Sequence, residues 1–103
     1  MLGIAPVLAA LDIDFRQIRQ ALHSALLPEV ADERIRVNCV RPGLTYTDIH
    51  GKGGEPGRVD RLKEGVPMKR GAQPQEVARA ILWLLSEEAS YTTGTFLDVS
   101  GGR

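Results

Sequence analysis

Few side chains in this sequence are of a type that could do chemistry, and their spacing decides what each could do. Cys39 is the single cysteine, so it can form no internal disulfide and belongs to no cysteine-rich metal set. It alternates with Val37 along an apolar run, which predicts a small buried strand residue and not an activated thiolate. His23 falls on the polar side of an amphipathic stretch, and His50 stands alone, so both read as solvated side chains. Gly51-Lys52-Gly53-Gly54 has the composition of a phosphate nest but not its spacing: G-x-G-x-x-G is absent, and no Ser or Thr follows the lysine. The sharpest local feature is Pro42-Gly43, followed by Leu44, Thr45, Tyr46 and Thr47. A proline–glycine exit fixes a tight bend that ends the preceding run sharply. No catalytic set and no metal-ligand set is expected.

The elements that would carry these residues can be read from the hydrophobic pattern. Asp14 is placed to cap a helix, with Gln17 three residues on to bond back. Phe15, Ile18, Leu22, Ala25 and Leu26 recur at helical spacing, which predicts a helix over 14–27 stopped by Pro28. Ile35 to Val40 reads as a strand closed by Pro42-Gly43. Residues 51–57 read as a loop, and a short helix is expected over 56–64. Pro74 and Glu76 suit the first turn of a helix over 74–86, where Val77, Ile81, Leu84 and Leu85 form a stripe widened by Ala78 and Leu82. Thr95 to Val99 is the last strand. Strand, crossover helix, strand predicts a parallel pair, hence an α/β fold, and two strands are few for a sheet that must stand alone.

Composition narrows the function. The chain has 103 residues and 13 basic against 13 acidic side chains, so it offers no net field for nucleic acid or an anionic membrane. The apolar run Ile4 to Leu11 is broken by Pro6 and is too short to span a bilayer. It also lacks the basic flank of a signal peptide, so a soluble, cytoplasmic protein is expected.

Three blocks resemble the carboxyl-terminal part of short-chain dehydrogenases/reductases. Ile35-Arg36-Val37-Asn38-Cys39-Val40-Arg41-Pro42-Gly43-Leu44-Thr45-Tyr46-Thr47 is similar to the sixth strand and following loop of that family. Val66 to Gly71 with Pro74 to Ala78 looks like the entry to its penultimate helix, and Ala89 to Gly102 like its last strand, with Ser100 where many members carry Asp. The resemblance implies a partial Rossmann-like fold, a fragment of a doubly wound parallel sheet holding only the carboxyl-terminal strands and helices. It divides the chain into a divergent segment, 1–28, with one amphipathic helix, and an NAD(P)-binding portion, 29–103.

By the same resemblance, the parent reaction is hydride transfer between NAD or NADP and an alcohol or carbonyl. Pro42, Gly43, Leu44, Thr45 and Thr47 would form the cofactor-binding loop: backbone around Leu44 and Thr45 faces the nicotinamide carboxamide, and the Thr47 hydroxyl bonds carboxamide or diphosphate oxygens. The Gly-rich stretch 51–57 falls where relatives place a substrate lid. Two family features have no counterpart. Gly3 is the only glycine before Gly43, so the diphosphate turn is missing. The Tyr-x-x-x-Lys pair is missing too, since Asp12 and Arg16 stand near its places, and no lysine follows Tyr46 or Tyr91 at four residues. Both tyrosines therefore read as packing or interface residues. The expectation is a chain that neither catalyses nor binds NAD(P) by itself, such as a truncated or frame-shifted product. The alternative is a module that joins homo- or hetero-oligomers of such subunits through 74–86 and 95–99, Trp83 among them, with no nucleic-acid or membrane partner.

Overall fold

The computed structural model describes residues 14–47 and 57–103. The expected Gly-rich stretch 51–56, His50 and the first 13 residues lie outside the described residues. Helix α1, Phe15–Ala21, starts at the capping box the sequence predicts: Asp14 Oδ1 accepts the Gln17 N–H at 3.0 Å, and Gln17 bonds back at 3.4 Å.

Pro28 does not stop this helix. The chain passes through a π-helical turn, Leu22–Leu26, into a second helix, α2, Leu27–Val30, with the proline in its first turn. There a missing N–H is harmless and the fixed φ of proline fits. The wider turn, in which the Leu27 N–H bonds the Leu22 carbonyl, also changes which side chains face inward. Leu22 and Leu27 are buried together with Val37, whereas Ala25 and Leu26 are exposed, against the even stripe expected from the spacing. A short 3-10 turn, Ala31–Glu33, then ends the run at Arg34 in the left-handed region.

Strand β1, Cys39–Pro42, pairs in parallel with β2, Phe96–Val99, in the register Cys39 to Phe96. The ladder begins later than the predicted 35–40 because side chains replace its first rungs. Val37 donates its N–H to Thr93 Oγ1 at 3.0 Å, Thr95 donates its N–H to Asn38 Oδ1 at 3.0 Å, and Asn38 Nδ2 donates to the Thr92 carbonyl at 3.0 Å. Extended backbone is thus kept while polar groups are paired from the side. Gly94, with φ +76°, turns the chain into β2, and its carbonyl sits 3.0 Å from His23 Nε2. His23 therefore joins helix to turn and is not simply a solvated face.

Helix α3, Arg58–Leu62, continues as a 3-10 turn to Gly65, in line with the short helix expected there. Helix α4, Pro74–Leu85, follows, and both strands pack against it. Of its predicted stripe, Leu84 is buried and Val77 and Ile81 are half-buried. Leu82 and Leu85 turn outward, 64% and 72% exposed, which the spacing did not anticipate. The helix end is closed by Arg36, whose guanidinium donates to the carbonyls of Leu84 (2.7 Å), Thr92 and Ser86 (both 3.3 Å). These include the last acceptors that a helix leaves unpaired, and a cation there complements the dipole. Cys39 is buried, as its alternation with Val37 predicts, and burial pushes its thiol up from the ordinary value. No helix among the described residues is long and apolar enough to cross a membrane.

Candidate functional site at the carboxyl ends of the strands

Both strands deliver their carboxyl ends to one place. Gly43 donates its N–H to the Val99 carbonyl at 2.9 Å, and a Cβ there would lie 2.8 Å from Ser100 Cα. Only glycine lets the two exits touch. Thr45 Oγ1 then donates to the Gly43 carbonyl at 2.9 Å, which folds the loop back on itself.

The loop is next tied to the segment that leads into α4. Ala72 donates its N–H to the Leu44 carbonyl, and the Tyr46 N–H donates to the Ala72 carbonyl, both at 2.9 Å. The Tyr46 ring packs on Gly71, and its hydroxyl donates to Asp60 Oδ1 at 3.1 Å. Tyr46 thus packs as expected and fastens α3 to the loop. Tyr91, by contrast, is fully exposed among the described residues.

A trough lies above these exits. One part, about 540 Å³, is lined by Arg41, Pro42, Gly43, Leu44, Arg58, Asp98, Ser100 and Arg103. An adjoining part, about 530 Å³, shares Leu44, Asp98, Ser100 and Arg103 and adds the Arg70–Glu76 pair and Gly101-Gly102. Parallel α/β sheets bind ligands in a crevice at this end. A further hollow of about 720 Å³ lies at the opposite end, beside Arg36 and Tyr91.

Charge is arranged in forks around the trough. Arg41 Nη2 donates to Asp98 Oδ2 at 2.8 Å and Nε to Oδ1, joining register partners on β1 and β2. Its guanidinium also lies 5.0 Å from the Phe15 ring and 5.8 Å from that of Phe96. Arg70 grips Glu76 with bonds of 2.8 and 3.0 Å, and the same carboxylate accepts the Gln73 N–H at 2.9 Å. The Arg70 fork, followed by the Gln73 backbone bond, holds the Glu76 carboxyl down at about 2.

Of the five residues expected to contact a cofactor, Pro42, Gly43 and Leu44 line the trough. Thr45 and Thr47 follow on the same loop, Thr45 half-buried and Thr47 exposed. The tight exit at Gly43 leaves an open crevice beside the loop, wide enough for one end of an extended ligand. The diphosphate end of a dinucleotide finds no glycine-rich turn among the described residues, so the fit extends to one end only. Sequence reasoning missed Arg58, Asp60 and Arg103. The 14-residue separation of Tyr46 from Asp60 leaves no periodic trace, and Arg58 sits on a helix too short to show a polar face. Among the described residues no group of His, Cys, Asp and Glu could hold a metal ion.

A family model described as enoyl-(acyl carrier protein) reductase matches residues 20–103. The chain is similar to the uncharacterized oxidoreductase YgfF of Escherichia coli K12, at 61% identity over 80% of this chain and 33% of the relative. It is also similar to the 3-oxoacyl-[acyl-carrier-protein] reductase FabG of Chlamydia muridarum, at 44% identity over 76% of this chain and 31% of that one. Among solved structures it resembles YwfH, an NADPH-dependent reductase involved in bacilysin biosynthesis. That match has a TM-score of 0.71 and 30% identity, and covers 84% of this chain and 36% of YwfH. The chain thus spans about a third of the length of the curated relatives it matches.

Proposed function

The chain belongs to the short-chain dehydrogenase/reductase family, and on that premise we propose that it forms the nicotinamide-end wall of an NAD(P)-dependent oxidoreductase acting on an alcohol or carbonyl. The observation that carries this reading is the junction of Gly43 with Ser100, which opens the Pro42–Leu44 backbone onto the trough at the carboxyl ends of both strands. When bound, the dinucleotide would supply or accept the hydride. Leu44 would give the ring an apolar wall, and backbone groups of the loop would orient its carboxamide and so select one face. Thr45 makes this wall more polar than an aliphatic residue would.

By itself the chain is proposed to be inactive. Proton transfer to the substrate oxygen needs a phenol beside a lysine within the cleft. Tyr46 instead donates to Asp60, whose other neighbour, Lys63, is 3.8 Å away. Tyr91 lies outside the trough, against the hollow at the other end of the strands. We expect no oxidation or formation of NADH or NADPH by purified chain with sugars, polyols or ketones. Nicotinamide riboside, which carries no phosphate, should shift the amide resonances of Gly43, Leu44, Thr45 and Thr47 and few others. Turnover without an added subunit would overturn the inactivity. Shifts centred elsewhere would overturn the wall assignment.

A second reading is favoured by the outward Leu82 and Leu85 and the fully exposed Tyr91. In it, residues 74–86 and 95–99 dock onto whole subunits of the family, as an apolar face at the surface suggests. Co-purification with a full-length relative, lost in Leu82→Lys/Leu85→Lys, is its expected signature.

A further inference from the structure

We propose that the trough above the strand ends is an oxyanion site, in which Arg58 and Arg103 hold a carboxylate or phosphate group of a small molecule. The proposal rests on the preceding reading only in naming that molecule as the substrate of the oxidoreductase; the site itself follows from the charges. The chain as a whole is neutral, so a cationic surface must be a local arrangement. Three arginines and one acidic side chain, Asp98, line the larger part of the trough. That carboxylate already has both oxygens on Arg41. In the adjoining part Arg70 is likewise occupied by Glu76. Arg58 and Arg103 are left with no carboxylate partner among the described residues, and both reach the same trough from positions 45 residues apart.

A guanidinium offers paired donors in a plane that matches the oxygens of carboxylate or phosphate. Two arginines lining one cavity, together with Ser100, make a site that one exposed arginine would not. Ser100 matters for a second reason: it is neutral where an acidic side chain would oppose an anion. A volume of about 540 Å³ accommodates a small organic acid or phosphate ester. The groups are exposed, so screening keeps the binding weak and salt-dependent.

The test is a titration of the 103-residue chain with inorganic phosphate and, separately, with succinate, followed by amide resonances at constant ionic strength. Chloride serves as the reference. Saturable shifts are expected at Gly43, Leu44, Ser100 and Gly101, and whichever of the two anions binds more tightly identifies the group. Arg58→Gln/Arg103→Gln should weaken binding about tenfold. Ser100→Asp, which leaves both arginines in place, should abolish it. Arg79→Gln, on the exposed side of α4, should change nothing. A chain with one glycine added after Arg103 moves the terminal carboxylate away and should bind at least as well. Shifts no more saturable than with chloride, equal loss in Arg79→Gln, weaker binding by the extended chain, or full affinity in the double variant would each overturn the proposal. Nicotinamide riboside binding retained in the double variant separates the two readings. If the riboside fails while phosphate binds, the anion site stands and the cofactor wall falls.

Discussion

The two ends of one strand pair use arginine in opposite ways. At the amino end, Arg36 meets only carbonyls, those of Leu84, Ser86 and Thr92, and Asn38 supports it by bridging Thr92 and Thr95. At the carboxyl end, Arg41 and Arg70 meet carboxylates in exposed forks, and Arg58 and Arg103 meet none among the described residues. Neutral backbone acceptors respond little to salt or acid, whereas exposed ion pairs respond to both. The difference teaches which end is scaffold and which is free to answer a ligand. The fold is held where nothing charged can be displaced, and charge is left available where a molecule could enter.

The sharpest way to break this contrast is to remove the scaffold arginine. Arg36→Ala strands the last carbonyls of α4 and three donor contacts at once, and should cost roughly 2–3 kcal/mol in urea unfolding. Arg36→Lys, a point charge without the planar fork, should recover only part of this. Gly43→Ala is the next largest change, because its Cβ would meet Ser100 backbone at 2.8 Å. A loss of roughly 1–2 kcal/mol is expected, with amide shifts confined to the exits of the two strands.

The smallest effect should be the most selective. Glu76→Gln should lower neutral-pH stability slightly, since solvent screens the exposed pair, and should flatten the acid limb of the stability curve by the same amount. Native Glu76 is held at about 2, below its ordinary 4.5. The stabilisation from Arg70 is therefore complete above about 4.5 and lost as pH falls toward 2. The variant should lack that portion of the acid dependence, and Arg36→Ala should keep it. An equal acid response in both variants would erase the distinction between the two ends.

Much of the fold was legible because the relevant signals are local. Asp14 with Gln17, Pro74 with Glu76, and the alternation of Val37 with Cys39 each declare an element within a few residues. The parallel pairing followed from chain order alone. The start of β1 was less legible, since Thr93 and Asn38 supply its first rungs from side chains that no strand pattern marks. At the site, Pro42-Gly43 announced the bend, but its physical cause, contact with Ser100, lies 57 residues away. The Arg41–Asp98 fork became readable only with the register, because both are ordinary exposed charges until Pro42 is known to face Val99. Leu82 and Leu85 misled for the converse reason: an apolar stripe records what prefers to leave water, not what covers it.

The five-residue turn at Leu22–Leu26 carries one more consequence. In a regular helix, five residues advance about 140° beyond a full circle, so Leu27 would point well away from Leu22. The wider turn absorbs the surplus and returns Leu27 to the side of Leu22 and Val37. It acts as a phase shifter: Phe15 and Arg19 are addressed to Phe96 in one phase and Leu27 to Val37 in another. Deleting a single residue there would let an ordinary helix form with its faces still aligned, but Pro28 would then fall where its ring collides with the preceding turn. The extra residue therefore accommodates the proline, and it cannot be lost while Pro28 remains.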